Sequence, residues 1–197
     1  MKIFMLSREE VLDIFRHTGV LWEGHFVLTS GLHSGRYLQC ARVQQFPEEN
    51  TLLCRELAAR FKDRGITTVI GPAIGAIIMA YEMARQLGAR CLFTERENGV
   101  MTLRRSFTLE PGEKVLVVED VITTGGSVRE VIEVVKQHGA VPVGVGVLVD
   151  RSGGRADVGA PVEPLITFDI ETYQPGDCPL CRQGVPVVKP GSRQLKP

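Results

Sequence analysis

Residues 115–127 read VLVVEDVITTGGS: four apolar residues run into two acids, then into a turn of threonines, glycines and a serine. A short, β-branched apolar run of this kind suits a strand buried on both faces, as in a parallel sheet covered by helices. The neighbouring sequence agrees. TTVIG and CLFTE are strand-like, with IIMAYEMARQLG between them at helical spacing. A helix is predicted over 127–138, ended by Gly139, and VPVGVGVLVD after it is a strand again. Alternating strands and helices predict an α/β fold with a central, mostly parallel sheet flanked by helices.

The flanks differ in character. Ser7-Arg8-Glu9-Glu10 has capping-box spacing and predicts a helix over 8–17, ended near Gly19. Strands are predicted at 25–29 and 36–40 around the turn SGLHSG, and a helix over 47–62 closes at Gly65. Residues 95–106, ERENGVMTLRRS, break the βα pattern and predict a mobile loop or extended hairpin, with strand character at 101–105. From Tyr173 onward the chain is rich in Pro and Gly and is predicted irregular. The lone Gly-x-Gly of VGVGV lacks the third glycine of a dinucleotide site and suggests close strand–helix packing.

With 197 residues, 44% of them hydrophobic, the chain can build one good core, so a single domain over 1–197 is expected. A net charge of zero supplies no global field for nucleic acid or an anionic membrane, so any charged ligand must be held locally. No apolar run approaches the ~20 residues that span a bilayer, and the N-terminal stretch lacks the pattern of a signal peptide. Five cysteines, an odd number, do not make a disulfide framework. A cytoplasmic protein with reduced thiols and no nucleic-acid or membrane partner is the simplest expectation.

In an open parallel sheet, ligands bind beyond the carboxyl ends of the strands. Glu119 and Asp120 would then stand at the crevice rim, and 123–127 would form the turn into the next helix. Glycines let backbone N–H groups converge, a helix N-terminus adds positive potential, and hydroxyls add donors, so a phosphate is the natural guest. The acids would repel that phosphate; they suit vicinal hydroxyls, a cation, or both. Phosphate beside a diol describes ribose 5-phosphate. A purely structural strand–turn–helix accounts for an acid pair alone, but poorly for the whole string.

The string resembles the phosphoribosyl-diphosphate (PRPP) signature of the type I phosphoribosyltransferases. FVLTSGLHSGRY from Phe26, GPAIGA from Gly71, VDRSGG from Val149 and CPLCRQGVPVVKPGS near the C-terminus narrow the resemblance to the orotate phosphoribosyltransferases. That resemblance implies the type I fold with a small hood built from 1–45 and 160–197 over a core at 46–159. It implies transfer of ribose 5-phosphate from PRPP to orotate, Mg²⁺ held mainly by PRPP with no protein ligand assigned, and a homodimer. Carried over residue by residue, PRPP would meet Glu119, Asp120, Val121, Ile122, Thr123, Thr124, Gly125, Gly126, Ser127 and Arg96. Orotate would meet Thr123, Arg151, Ser30, Gly31 and Tyr37. Asp120, Glu119 and Arg96 would be catalytic, with Arg104 and Arg105 as further loop candidates. Where better-known members carry lysine, this chain has Thr29 and Gly75.

Two other readings stay open. A purine phosphoribosyltransferase would share the PRPP string but not the hood or VDRSGG, and a PRPP-sensing regulator would add a nucleic-acid-binding segment. Cys178 and Cys181 form half a zinc site with no other cysteine near in sequence, so a packed tail turn is favoured over zinc or a redox pair, with Cys40 able to approach it. Cys54 and Cys91 read as core. His33 is placed in the hood turn, and His17, His25 and His138 have no partners in view.

Overall fold

A computed structural model describes residues 6–28 and 30–190. Helix α1 (Arg8–His17) begins at a complete capping box: Ser7 Oγ accepts from the Glu10 amide and the Glu10 carboxylate accepts from the Ser7 amide. Strands β1 (Leu21–Val27) and β2 (His33–Leu38) form a separate antiparallel hairpin. A short 3-10 helix, Cys40–Gln45, leads to α2 (Pro47–Ala59). Then follow β3 (Thr68–Pro72), α3 (Ile77–Leu87), β4 (Arg90–Glu97), β5 (Val100–Leu103), β6 (Lys114–Ile122), α4 (Gly126–Gln137), β7 (Val141–Asp150), β8 (Val162–Thr167) and a single-turn α5 (Pro179–Arg182).

The main sheet has the order β5-β4-β3-β6-β7-β8, and every pairing is parallel except β4 with β5. This is the central, mostly parallel sheet flanked by helices of a type I phosphoribosyltransferase fold. The two-residue period of β6 explains the unbroken apolar run from Val115 to Val118. Leu116 and Val118 face a core shared with α2 and α3, whereas Val115 and Val117 face one shared with α4. Both faces are dry there, so the strand stays apolar until Glu119, beyond its last pairing with β3 at Val117, while its pairing with β7 continues to Ile122.

The VGVGV glycines act through packing. A Cβ on Gly144 or Gly146 would stand 3.2 Å from the Phe61 ring, so their absence lets the α2 end lie close on β7.

Several boundaries moved. β1 starts at Leu21, before the expected 25, and the expected strand end at Thr29 lies outside the described residues. His33 is a buried strand residue, because β2 extends back through it to pair with Val27. The 95–106 segment is an antiparallel extension of β4 into β5 around a turn with Asn98 and Gly99 at positive φ. Strand β8, unannounced by any clear pattern in the sequence, adds to β7 in the main sheet, within the stretch expected to belong to the hood. From Tyr173 to Pro190 the chain is irregular apart from one 3-10 turn (Pro175–Asp177), α5 and isolated bridges at Tyr173 and Val188.

Candidate active site

β6 delivers Glu119 and Asp120 to its carboxyl end, and the chain bends through 123–125 into α4. Gly125 caps that helix with φ +76°, a conformation that suits glycine. Space forbids a side chain there as well: a Cβ would meet Val158 Cγ1 at 2.5 Å. No side chain caps α4, so the first-turn amides, lacking intrahelical partners, remain available to a ligand. The carbonyl of Thr124 accepts from Arg129 Nη1 at 2.8 Å, and the same nitrogen donates to the Asp157 carbonyl, fixing the bend from behind.

The bend walls a polar cavity of about 300 Å³ lined by Arg96, Glu119, residues 121–128 and Glu130. Nine of the ten residues expected to meet PRPP thus line it directly; the tenth, Asp120, has its carboxylate 3.7 Å from where a Cβ on Gly75 would stand. Arg96 reaches the cavity from β4, with Nη2 2.6 Å from Glu130 and Nη1 donating to the Gly99 carbonyl. The hairpin's other arginines are engaged locally. Arg105 makes a bidentate pair with Glu95 at 2.7 and 2.8 Å, and Arg104 pairs with Glu97 at 3.3 Å.

Burial raises the proton affinity of both crevice acids, Glu119 more than Asp120. The carboxyls of Glu119 and Asp120 are pushed up from their ordinary range first by desolvation, and Glu119 further by the adjacent Asp120 charge. Neither acid has a salt-bridge partner among the described residues. Two crowded carboxyls facing an open crevice are a ready acceptor for hydroxyl donors or a cation.

The loop from Gly71, GPAIGA, packs directly on β6: a Cβ on Gly71 would fall 2.7 Å from Ala76 Cβ and 3.0 Å from the Val118 carbonyl. Gln44 donates to the Gly75 carbonyl at 2.7 Å and pins the loop from the other side. Cys40 is buried under the crevice, where desolvation pushes its thiol up and the charges of Asp120 and Arg151 are felt. It therefore does not join the tail cysteines.

At the end of β7, Asp150 is buried and accepts from the amides of Ser152 (2.6 Å) and Gly154 (2.7 Å). That acceptor pair folds the RSGG turn and sets the direction of Arg151, whose own amide donates to the Ile122 carbonyl at the end of β6. The Arg151 Nε is buried without a hydrogen-bond partner. Tyr37 lies close enough for the Arg151 charge to oppose the upward push of burial on its phenol. Ser30 and Gly31 are exposed at the tip of the β1–β2 hairpin, where their hydrogen bonds are local. Asp150, Gln44 and Glu130 were missed by the sequence reading. Only Asp150 carried a signal, as an acid before a Ser-Gly-Gly turn.

The pattern described as a phosphoribosyl transferase domain matches residues 48–174. Orotate phosphoribosyltransferase of Desulforamulus reducens is 65% identical over 190 residues, covering 96% of this chain and all of that protein. The chain belongs to the orotate phosphoribosyltransferase family. The enzyme of that name from Pelotomaculum thermopropionicum is 62% identical over 190 residues, again 96% of this chain and 100% of that one. Among solved structures, orotate phosphoribosyltransferase from Aeropyrum pernix superposes with a TM-score of 0.67 at 25% identity, covering 80% of this chain and 93% of that one. Among the described residues no helix is long and apolar enough to cross a membrane.

Proposed function

We propose that this chain transfers ribose 5-phosphate from PRPP to orotate, forming orotidine 5′-monophosphate and diphosphate, as a step of pyrimidine synthesis. The observation that carries the reading is a polar cavity in which Glu119, next in the chain to the buried carboxyl of Asp120, meets an uncapped helix N-terminus. Family membership supplies the substrate pair.

The amides and hydroxyls of 123–127 hold the 5′-phosphate, and each charge-assisted bond contributes roughly 1.5–3 kcal/mol. Glu119 and Asp120 accept from the ribose hydroxyls and lie near the positive charge that develops as the C1–oxygen bond loosens. Arg96 leaves Glu130 to neutralise the departing diphosphate. Arg151 meets the orotate carboxylate, a planar match that also satisfies its buried Nε. Ser30, Gly31, Tyr37 and Thr123 complete the base site. No covalent nucleophile is required.

Two carboxyls cannot by themselves encage a cation. They suit Mg²⁺ that brings substrate oxygens and retained water as its other ligands. When bound, Mg²⁺ supplies charge neutralisation between diphosphate and ribose hydroxyls. The β4–β5 hairpin, with Arg104 and Arg105, reaches a neighbouring subunit's site in a homodimer.

Incubation with PRPP, Mg²⁺ and either orotate or adenine tests the reading. Diphosphate release together with loss of orotate's near-ultraviolet absorbance is expected only with orotate. Turnover of adenine instead, or binding of PRPP with no turnover of either base, would overturn it.

A further inference from the structure

Besides the crevice residues, four side chains converge that the transfer reaction does not use. His25 on β1, His33 on β2, and Cys178 and Cys181 around α5 place one nitrogen or sulfur each within 4.8 Å of all the others. His25 Nε2 lies 2.9 Å from His33 Nδ1, 3.5 Å from Cys178 Sγ and 3.8 Å from Cys181 Sγ. Cys181 Sγ lies 3.3 Å from His33 Nδ1. His25, His33 and Cys178 are buried; Cys181 is at the surface.

Hydrogen bonding alone cannot account for this cluster. His25 Nδ1 sits 2.8 Å from the Val185 carbonyl and must donate its proton there, which leaves Nε2 with a single lone pair. Three groups crowd that one lone pair: an imidazole nitrogen and two sulfurs. A neutral imidazole nitrogen accepts one good hydrogen bond, not three. A cation at the centre satisfies all four ligands at once, and the Nδ1–carbonyl bond is the support expected for a metal-bound histidine.

We propose that His25, His33, Cys178 and Cys181 form a closed, structural zinc site. In a tetrahedral zinc centre, ligand atoms stand about 3.3 Å apart for two nitrogens, about 3.5 Å for nitrogen and sulfur and about 3.8 Å for two sulfurs. The observed separations straddle those values. Two nitrogens and two thiolates favour zinc over hard cations such as Mg²⁺, which demand oxygen ligands. Binding converts both thiols to thiolates and releases their protons to solvent.

The site ties together segments that share few other contacts. The two histidines belong to the N-terminal hairpin and the two cysteines to the C-terminal tail, which also meet through the Phe26–Val188 and His33–Tyr173 bridges and the His25–Val185 bond. The tip of that hairpin carries Ser30 and Gly31. Zinc therefore fixes the hood as one body, replacing the packed tail turn expected from sequence.

The test is metal analysis of the reduced full-length protein, purified without chelator and desalted. About one equivalent of zinc per chain is expected. Zinc should be lost from the Cys178→Ser/Cys181→Ser variant, and Tm should fall by roughly 5 °C or more when a strong chelator strips the wild type. Because the variant could fail to fold, the stripped wild type is also titrated with Co²⁺. A saturable visible spectrum with thiolate charge-transfer absorption, displaced by zinc, is expected. Zinc-free wild type that gives no such spectrum would overturn the site, and so would a mass two hydrogens short, in protein purified without reductant, that marks a Cys178–Cys181 disulfide. Neither readout depends on catalysis.

Discussion

Arg96 on β4 places Nη2 2.6 Å from the Glu130 carboxylate on α4, and both residues line the polar cavity walled by the 123–127 bend. The pair is half exposed, so it is worth about 0.2–1 kcal/mol and is easily broken. Glu130 both aims Arg96 at the cavity and competes with an anionic ligand for it. Glu130→Gln should lower the KM for PRPP by about two- to fivefold while kcat changes little. A KM that rises in steady-state kinetics would show that Glu130 positions the arginine productively instead.

Arg151 has a buried Nε with no partner, so its ligand is expected to supply the acceptor. Losing a charge-assisted bidentate contact costs about 1.5–3 kcal/mol, and Arg151→Ala should raise the KM for orotate roughly 10- to 100-fold with the KM for PRPP nearly unchanged. Equal effects on both substrates would remove Arg151 from the base site.

Asp120→Asn preserves shape and removes charge at the rim of the crevice. The variant should fold normally by circular dichroism and lose about two or more orders of magnitude in kcat, the scale of one positioned electrostatic group. Wild-type turnover would refute the role given to it.

The buried carboxyl of Glu119 makes a pH prediction. Burial raises Glu119 to about 8, above its ordinary value of 4.5, so the folded state binds more protons than the unfolded one between those values. The associated stability is fully present below the unfolded pKa and is lost as pH rises through the folded one. Glu119→Gln should therefore stabilise the ligand-free protein at pH ~8 by about 1–2 kcal/mol, once solvent screening at the crevice is discounted, and make no gain at pH ~4. Denaturant melts at the two pH values measure the difference; a gain of the same size at both would point to a cause other than this carboxyl.

Gly125 is constrained twice, by φ +76° and by Val158 Cγ1 at 2.5 Å from the missing Cβ. Gly125→Ala should cost about 1–3 kcal/mol in unfolding free energy. Adding Val158→Ala relieves the clash but not the backbone, so the double variant should fail to recover that loss. Full recovery would assign the whole constraint to the clash.

Local chemistry made most of the sheet and the phosphate turn legible in the sequence. A strand dry on both faces must be apolar throughout, and a phosphate cradle must follow it with glycines and hydroxyls, so 115–127 announces both strand and turn. The Ser7–Glu10 capping box is equally local, and α1 lies where its spacing put it. β8 escaped because VEPLIT is short and interrupted by Pro164, which an edge strand tolerates and a pattern search penalises.

Relationships between distant segments were decided only by tertiary structure. The sequence by itself determined which strands are buried, where the chain bends into α4 and which acids end the apolar run of β6, since each follows from side-chain pattern within about ten residues. It did not determine that Glu130 meets Arg96, that Gln44 pins Gly75, or that two histidines near the start of the chain face two cysteines near its end. Those partners are 31 to 156 residues apart, and no local periodicity records which surfaces the sheet order brings together.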